Sequence, residues 1–355
     1  MTGDDRRLLE RTLELAERGR ATASPNPVVG CVIVRDGVAL GEGWHVRPGE
    51  RHAETNALAA CADGARGATA YVSLEPCSHH GRQPPCADAL IEAGIVRVVC
   101  AAGDPSAKVG GNGFARLRAA GVEVELADGD LERRARRQNA AFRVHAVEGR
   151  PFVLLKLAAS LDGRTATAAG ESRWISSPES RRLVHAWRAA MDAVAVGSGT
   201  ALADDPGLDA RDVDPPAERQ PLRVVFDRRG RLHPGLGLAA AGTLQVAPAG
   251  VAPPPPGVER IEAGDAAEGL RALGARGVTS VLVEGGAELA SGLLRAGLVD
   301  ALALFVAPVV LGGDGRALLG SLGVEALADA PRLRDLRSRP VGPDVLLEAE
   351  LRELP

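Results

Sequence analysis

Lysine is almost missing from this chain of 355 residues: of its 42 basic residues only Lys108 and Lys156 are lysine. Alanine, glycine and proline are abundant, which points to a coding bias. Each remaining lysine is therefore a candidate for a role that the planar guanidinium cannot fill. Aromatic residues make up 3% of the chain and leave few platforms for stacking bases. There is no basic excess either, since the net charge is −4 and the pI is near 6.0. A nucleic-acid binder draws most of its affinity from phosphate contacts, so no nucleic-acid partner is expected. No apolar run reaches the roughly 18 residues of a membrane helix, and no membrane association is expected. Met1 to Asp5 show no basic region ahead of an apolar stretch. A secretory leader is thus not expected, and the expected location is cytoplasmic. Five cysteines is an odd count, and a reducing compartment argues against a disulfide framework. Metal ligation and core packing remain for them.

The length exceeds what one core usually holds, so two domains are expected, over 1–148 and 149–355. Helical periodicity predicts a helix over 6–18, with Leu8, Leu9, Leu13 and Ala16 on one side. A strand over 28–34, a tight turn at Asp36-Gly37 and a strand over 38–44 form a hairpin. Further helices are predicted over 51–62, 86–93, 113–120 and 131–147, and strands over 70–74, 96–101 and 122–126. That alternation suggests an α/β/α sandwich. Residues 148–151 read as a linker. Beyond it, strands are predicted over 152–158, 193–196, 222–226, 243–246, 280–283, 301–306 and 345–348. Helices fall over 178–190, 266–275 and 287–296, and the stretches 212–221 and 247–257 read as loops.

The strongest chemical signal is His52-Ala53-Glu54, followed by Pro76-Cys77 and Cys86. Imidazole and thiolate suit zinc, and three ligands leave a fourth position open for water, as a catalytic site requires. Glu54, at the start of a helix, can reach that water and carry its proton to a leaving group. This is the layout of zinc deaminases that act on nucleobases. The competing reading is a structural zinc, which wants a fourth protein ligand. Cys61 and Cys100 are the candidates, but one lies in an apolar helix face and the other in a strand.

The segments Ser24-Pro25-Asn26-Pro27-Val28-Val29-Gly30-Cys31, Gly41-Glu42-Gly43-Trp44-His45 and Leu74-Glu75-Pro76-Cys77 through Pro85-Cys86 carry a resemblance. They resemble the deaminase half of the bifunctional riboflavin biosynthesis deaminase/reductases, over about residues 6 to 148. Cytidine and tRNA adenosine deaminases separate their two cysteines by two residues, whereas eight intervene here. The resemblance implies a cytidine-deaminase-like α/β/α sandwich with Zn2+. It implies hydrolytic deamination of the phosphorylated pyrimidine 2,5-diamino-6-(5-phosphoribosylamino)pyrimidin-4(3H)-one. By motif, Asn26 and His45 would bind the ring or ribose, and His79 and Arg82 the sugar phosphate. Ser106 stands where the family often has Asn, and Lys108 sits in the same loop.

In the second half, Leu155-Lys156-Leu157-Ala158, Glu171-Ser172-Arg173-Trp174, Val196-Gly197-Ser198-Gly199-Thr200 through Asp204, and Val283-Glu284-Gly285-Gly286 resemble the reductase half of the same family. This implies a dihydrofolate-reductase-like α/β domain. It also implies NADPH-dependent reduction of 5-amino-6-(5-phosphoribosylamino)uracil to the ribityl product. Read physically, Gly285-Gly286 ends a strand and opens a helix, an arrangement that brings backbone N–H groups to an anion. Gly197-Ser198-Gly199-Thr200 repeats the arrangement, but neither is the dinucleotide fingerprint, and either alone could be a tight turn. The resemblance assigns NADPH contacts to Ala158, Trp174, Thr200, Asp204 and the segment Gly286 to Gly292. Arg228 and Arg229 follow a strand, at an end where the cofactor 2′-phosphate can lie. Substrate contacts fall on Lys156, Ser172, Arg188, Leu208, Arg211 and Glu284. Alternation places Lys156 with Leu154 and Ala158, and Asp204 or Glu284 is expected to pair its ammonium, because burying an unpaired one is costly. Two other classes compete, a nucleic-acid-editing deaminase and a zinc-stabilised protein without catalysis. The cysteine spacing and acidic balance oppose the first, and Glu54 with its open coordination position opposes the second. A homo-oligomer is compatible with the family, and no subunit number follows.

Overall fold

Thr2 caps the first helix by accepting from the Asp5 amide while Asp5 accepts from its own, a reciprocal capping box. A computed structural model describes the chain except for Arg82 and residues 107–109. It divides into two units, residues 1–149 with Leu354 and Pro355, and residues 150–353. Gly149 belongs to the first because its left-handed conformation ends that unit's last helix.

In the first unit the elements run α1 (Gly3–Glu17), β1 (Gly30–Arg35), β2 (Val38–Trp44), α2 (Ala53–Ala59), β3 (Thr69–Val72), α3 (Cys86–Glu92), β4 (Arg97–Cys100), α4 (Asn112–Ala119), β5 (Glu123–Leu126), α5 (Gly129–Gln138) and α6 (Ala140–Glu148). The sheet order is β2-β1-β3-β4-β5. β1 is antiparallel to both neighbours, and β3, β4 and β5 are parallel. Alternation along β1 divides the core. Cys31 and Ile33 pack with Ala53, Ala57, Leu90 and Leu117 on one face, and Val32 and Val34 with Leu9, Leu13 and Leu131 on the other. This is the expected α/β/α sandwich. The expected single helix over 131–147 is instead two, broken at Asn139. The buried Asn139 amide accepts from Val28 N and donates to Val28 O, both at 2.9 Å, and so imitates a strand partner.

The second unit contains β6 (Phe152–Ser160), β7 (Arg164–Ala166), α7 (Pro178–Ala190), β8 (Ala193–Gly197), α8 (Ser198–Asp204), β9 (Leu222–Phe226), β10 (Thr243–Ala247), β11 (Glu259–Glu262), α9 (Ala266–Ala275), β12 (Ser280–Val283), α10 (Ala287–Arg295), β13 (Ala301–Ala307), β14 (Arg316–Ala317), β15 (Arg334–Val341) and β16 (Asp344–Glu350). Nine strands follow the order β11-β10-β9-β8-β12-β6-β13-β16-β15. Those from β11 to β13 are parallel and the last two antiparallel. Helices α9 and α10 cover one face through Leu270, Leu273, Ala290 and Leu293, and α7 covers the other through Val184 and Trp187. The stretches 212–221 and 247–257 contain no helix or strand, as expected, except that β10 extends through Ala247. The short β7, β11 and β14 and the exposed β15 are additions to the sequence reading. β15 buries no residue and therefore has no period-two pattern to read.

Candidate functional site

In the first unit, Gly41 and Gly43 let α2 lie directly on β2. A Cβ on either would come within 2.5 Å of an α2 carbonyl, that of Ala57 or Ala53. That contact fixes the N-terminus of α2, where His52 is the capping residue and Glu54 lies in the first turn. Cys86 opens α3, and Cys77 lies in the loop that leaves β3. His52, Cys77 and Cys86 converge, with their ligand atoms all within 4.8 Å of one another. His52 Nδ1 lies 3.2 Å from Cys86 Sγ and 3.6 Å from Cys77 Sγ. Sharing a proton with Cys86 and facing His52 holds the Cys77 thiol well below its usual range, and Cys86 correspondingly high. Two cysteine sulfurs, one of them a thiolate, and an imidazole form a donor set that fits zinc. Neither Cys61 nor Cys100 joins the cluster, so a fourth protein ligand is absent among the described residues.

Glu54 is buried beside Cys86. Burial, aided by the Cys77 thiolate and opposed by His52, raises its carboxyl to about 7. A bound dication pulls that value back down. His45 stands edge-on to His52, ring centroids 5.2 Å apart. Its Nδ1 is 3.2 Å from the Arg51 carbonyl, which can only accept, so Nδ1 carries the proton. Nε2 then accepts from Asn26 Nδ2 at 3.0 Å. Burial holds this ring neutral by lowering its pKa. Asn26 and His45 therefore come together at the cluster, while His79 is exposed with no hydrogen bond among the described residues. Arg82 and Lys108 lie outside the described residues.

Sequence reasoning missed Glu75. Its buried carboxylate accepts from the amides of Asp104, Gly111, Gly113 and Phe114 at 2.9–3.3 Å. Gly113 packs so closely that a Cβ there would lie 2.0 Å from the Pro76 carbonyl. The residue before Pro76-Cys77 thus docks the start of α4 and the loop before it onto the ligand loop. Its only signal was an acidic side chain placed among apolar ones.

In the second unit a cleft of about 1700 Å³ is lined by Lys156, Ala158, Ser172, Trp174, Arg188, Thr200, Asp204, Leu208, Arg211, Arg228, Glu284 and Gly286. All the residues assigned to this half from the resemblance line it except Ala290, which is buried within the segment Gly286 to Gly292. Burial along β6 alternates, and Leu154, Lys156 and Ala158 share the less buried face, as the alternation predicts. Arg188 Nε and Nη2 grip Glu284 at 2.6 and 2.9 Å, and Nη1 donates to the Asp209 carbonyl at 3.0 Å. Burial works to raise Glu284, but the guanidinium more than offsets it and holds the carboxyl low. The expected pairing of Lys156 is corrected here. Glu284 is taken by Arg188, and Asp204 lies 3.8 Å from Arg173. No carboxylate among the described residues pairs with Lys156, whose ammonium lies 5.8 Å above the Phe305 ring. Desolvation lowers its pKa, Glu284 opposes, and Arg188 adds to the lowering.

The chemistry of the opposite wall suits an anionic dinucleotide. Gly286 is the capping residue of α10, and its amide donates to Thr200 Oγ1 at 3.0 Å. A Cβ on Gly285 would lie 2.8 Å from Leu289 Cδ2. Arg228 is exposed with no partner among the described residues, Arg229 lies 3.8 Å from the exposed Glu288, and Arg231 donates to Ser198 Oγ at 2.9 Å. Leu208 is buried with φ +51°, a conformation that costs a bulky side chain about 1–2 kcal/mol.

A zinc-deaminase unit followed by a reductase unit is the class that these two sites define. Residues 2–102 match the cytidine and deoxycytidylate deaminase zinc-binding region, and residues 151–347 match the RibD C-terminal domain. The riboflavin biosynthesis protein RibD of Escherichia coli (strain K12) is 44% identical, with 97% of this chain and 98% of that protein covered. That of Haemophilus influenzae is 41% identical over 96% and 95%. The structure of Acinetobacter baumannii RibD superposes with a TM-score of 0.86 at 40% identity, covering 98% of both chains. A Thermotoga maritima structure described as a diaminohydroxyphosphoribosylaminopyrimidine deaminase/5-amino-6-(5-phosphoribosylamino)uracil reductase gives 0.86 at 35%, also over 98% of both. This chain belongs to the RibD family of bifunctional deaminase/reductases of riboflavin biosynthesis. Zinc in the first unit and NADPH in the second are the cofactors that this membership brings. No helix among the described residues is long and apolar enough to cross a membrane.

Proposed function

We propose that the first unit deaminates 2,5-diamino-6-(5-phosphoribosylamino)pyrimidin-4(3H)-one and that the second reduces 5-amino-6-(5-phosphoribosylamino)uracil. The carrying observation is the three-ligand cluster with Glu54 buried beside it. Zinc, when bound by His52, Cys77 and Cys86, supplies hydroxide at neutral pH. Glu54 takes the proton from the attacking water and delivers it to the exocyclic 2-amine, so that ammonia leaves and a carbonyl remains. Asn26 and His45, held to one another, orient the ring and exclude water from that side. The deaminase domain is placed over residues 1–148 and the reductase domain over 149–355.

In the second unit NADPH, when bound, supplies a hydride to the ribosyl C1′. The C1′–O4′ bond breaks, and O4′ needs a proton. Glu284 is ionised by Arg188, and Asp204 lies with Arg173. The unpaired Lys156, with its lowered pKa, is left as the donor. Ser172, Leu208 and Arg211 would seat the ribosyl phosphate, and Ala158, Trp174, Thr200, Asp204 and Arg228 the cofactor. The setting is the cytoplasm, where Cys77 and Cys86 stay reduced, and small phosphorylated pyrimidines rather than nucleic acid are the partners. The test measures ammonia release and NADPH oxidation on the free nucleotide, with an oligonucleotide as the rival substrate. Deamination of the oligonucleotide alone would sink the reading.

A further inference from the structure

One wall of the reductase cleft carries a histidine that the sequence reading did not single out. His185 lies on α7, one turn before Arg188, and both line the cleft. Its Nδ1 is 3.0 Å from the Asp209 carbonyl oxygen. That oxygen can only accept, so Nδ1 carries the hydrogen and the neutral ring presents Nε2 as a bare lone pair. The Arg211 amide approaches the same Nδ1 at a longer 3.4 Å. Nε2 has no protein partner among the described residues, which is unlike the guanidiniums around it. Arg188 is committed to Glu284 and Asp209, and Arg211 Nη1 holds Asp209 Oδ1 at 2.6 Å with Asp212 at 3.9 Å. On the same helix Arg181 donates to the Ser176 carbonyl and lies over Trp174, and Arg182 pairs with Glu179. Lys156 reaches the cleft from β6, and Glu284 faces it from the end of β12.

We propose that His185 is a binding residue for the substrate's phosphate, and that its imidazolium forms as that dianion seats against Nε2. The inference rests on the second unit's reading as a reductase of a phosphorylated ribosyl compound. In the empty cleft burial lowers the pKa of the ring, and Arg188 and Arg211 push the same way, so Nε2 is unprotonated. A dianion reverses that balance because it favours the charged form of any neighbour. Binding then takes up one proton. Affinity is greatest below the pKa of the bound state and weakens as pH rises through it.

Sulfate is the probe, since it is a dianion that does not titrate near neutral pH. Titration of the NADPH-loaded enzyme in two buffers of different ionisation enthalpy counts the protons taken up. The wild type should take up a proton on binding sulfate, and His185→Gln should not, with sulfate affinity about tenfold weaker, which is the worth of one charge-assisted hydrogen bond. Glutamine keeps an N–H for the Asp209 carbonyl, and His185→Leu, which lacks it, should lose the uptake equally. In turnover, wild-type KM for the phosphorylated substrate should climb from about pH 6.5 to 8.5, while that of His185→Gln stays flat. Equal proton uptake in wild type and His185→Gln, or no sulfate binding by the wild type, overturns the assignment. Proton-linked sulfate binding without any reduction of the substrate upholds His185 and sinks the reductase reading instead.

Discussion

The two sites handle charge in opposite ways. In the first unit the ionisable groups are few and in mutual contact: two thiols and two imidazoles lie around one buried carboxylate. Protons there are shared, so Cys77 is held low and Cys86 and Glu54 high. In the second unit cations are spread over an open cleft, and most are tied to carboxylates or carbonyls. Among the described residues Lys156, Arg228 and Arg316 are without such a partner, and the neutral His185 leaves its Nε2 open. A site that binds a dication is built from donors that can lose protons. A site that binds phosphorylated molecules is built from fixed cations, with a few left unpaired for the ligand.

The widest break between the units comes from Cys86→Ser. Zinc content should fall nearly to nothing by metal analysis, because a serine hydroxyl does not replace a thiolate ligand, and deamination should vanish with it. Reduction of pre-deaminated substrate should persist. Full zinc retention would sink the three-ligand assignment. Next in size is Glu54→Gln, which should keep zinc and lose about 10²–10⁴-fold in deamination rate. Parallel loss of both activities in that variant would mean that the sites are not independent.

These two variants probe the part of the molecule that was most legible in the sequence. His52, Glu54, Cys77 and Cys86 lie within 35 residues and at element ends, where spacing alone suggests convergence. Helix α2 was legible for the same reason. The break at Asn139 was not, because its cause is a pairing with Val28, 111 residues away. Glu75 was equally hidden, since its four amide partners come from a loop and the first turn of α4, about 30–40 residues further on. In the second unit, the motif residues line the cleft, but which cation meets which anion was misjudged. Lys156 was expected to pair with Glu284 or Asp204, and the longer reach of two arginines claims both.

That correction sharpens the third prediction. An ion pair with Asp204 or Glu284 was expected for Lys156, and the structure shows none among the described residues. Lys156→Arg keeps a positive charge but replaces a compact ammonium, able to give up a proton, with a planar group that stays protonated. Reductase kcat should fall by about 10²-fold, the lower end for a general acid, with deaminase activity and zinc content unchanged. A variant that reduces at nearly the wild-type rate would leave Lys156 with no chemical role.

The smallest effect concerns cofactor choice. The 2′-phosphate of NADPH needs a cation that is not already engaged. Arg231 is held by Ser198 at 2.9 Å, and Arg229 lies 3.8 Å from Glu288. Both members of that second pair are exposed, and such pairs contribute little, so Arg229 is only weakly held. Arg228 lines the cleft with no partner at all among the described residues. It is therefore the arginine best placed to meet the phosphate after β9. Arg228→Ala should raise the NADPH KM about tenfold, as the loss of one charge-assisted contact does, and leave the NADH KM unchanged. Arg229→Ala should act in the same direction and more weakly, because its release from Glu288 already costs part of the gain. The ratio of the two KM values is the readout, since a general loss of cleft shape would move both together. Equal rises for NADPH and NADH in Arg228→Ala would show that the 2′-phosphate lies elsewhere.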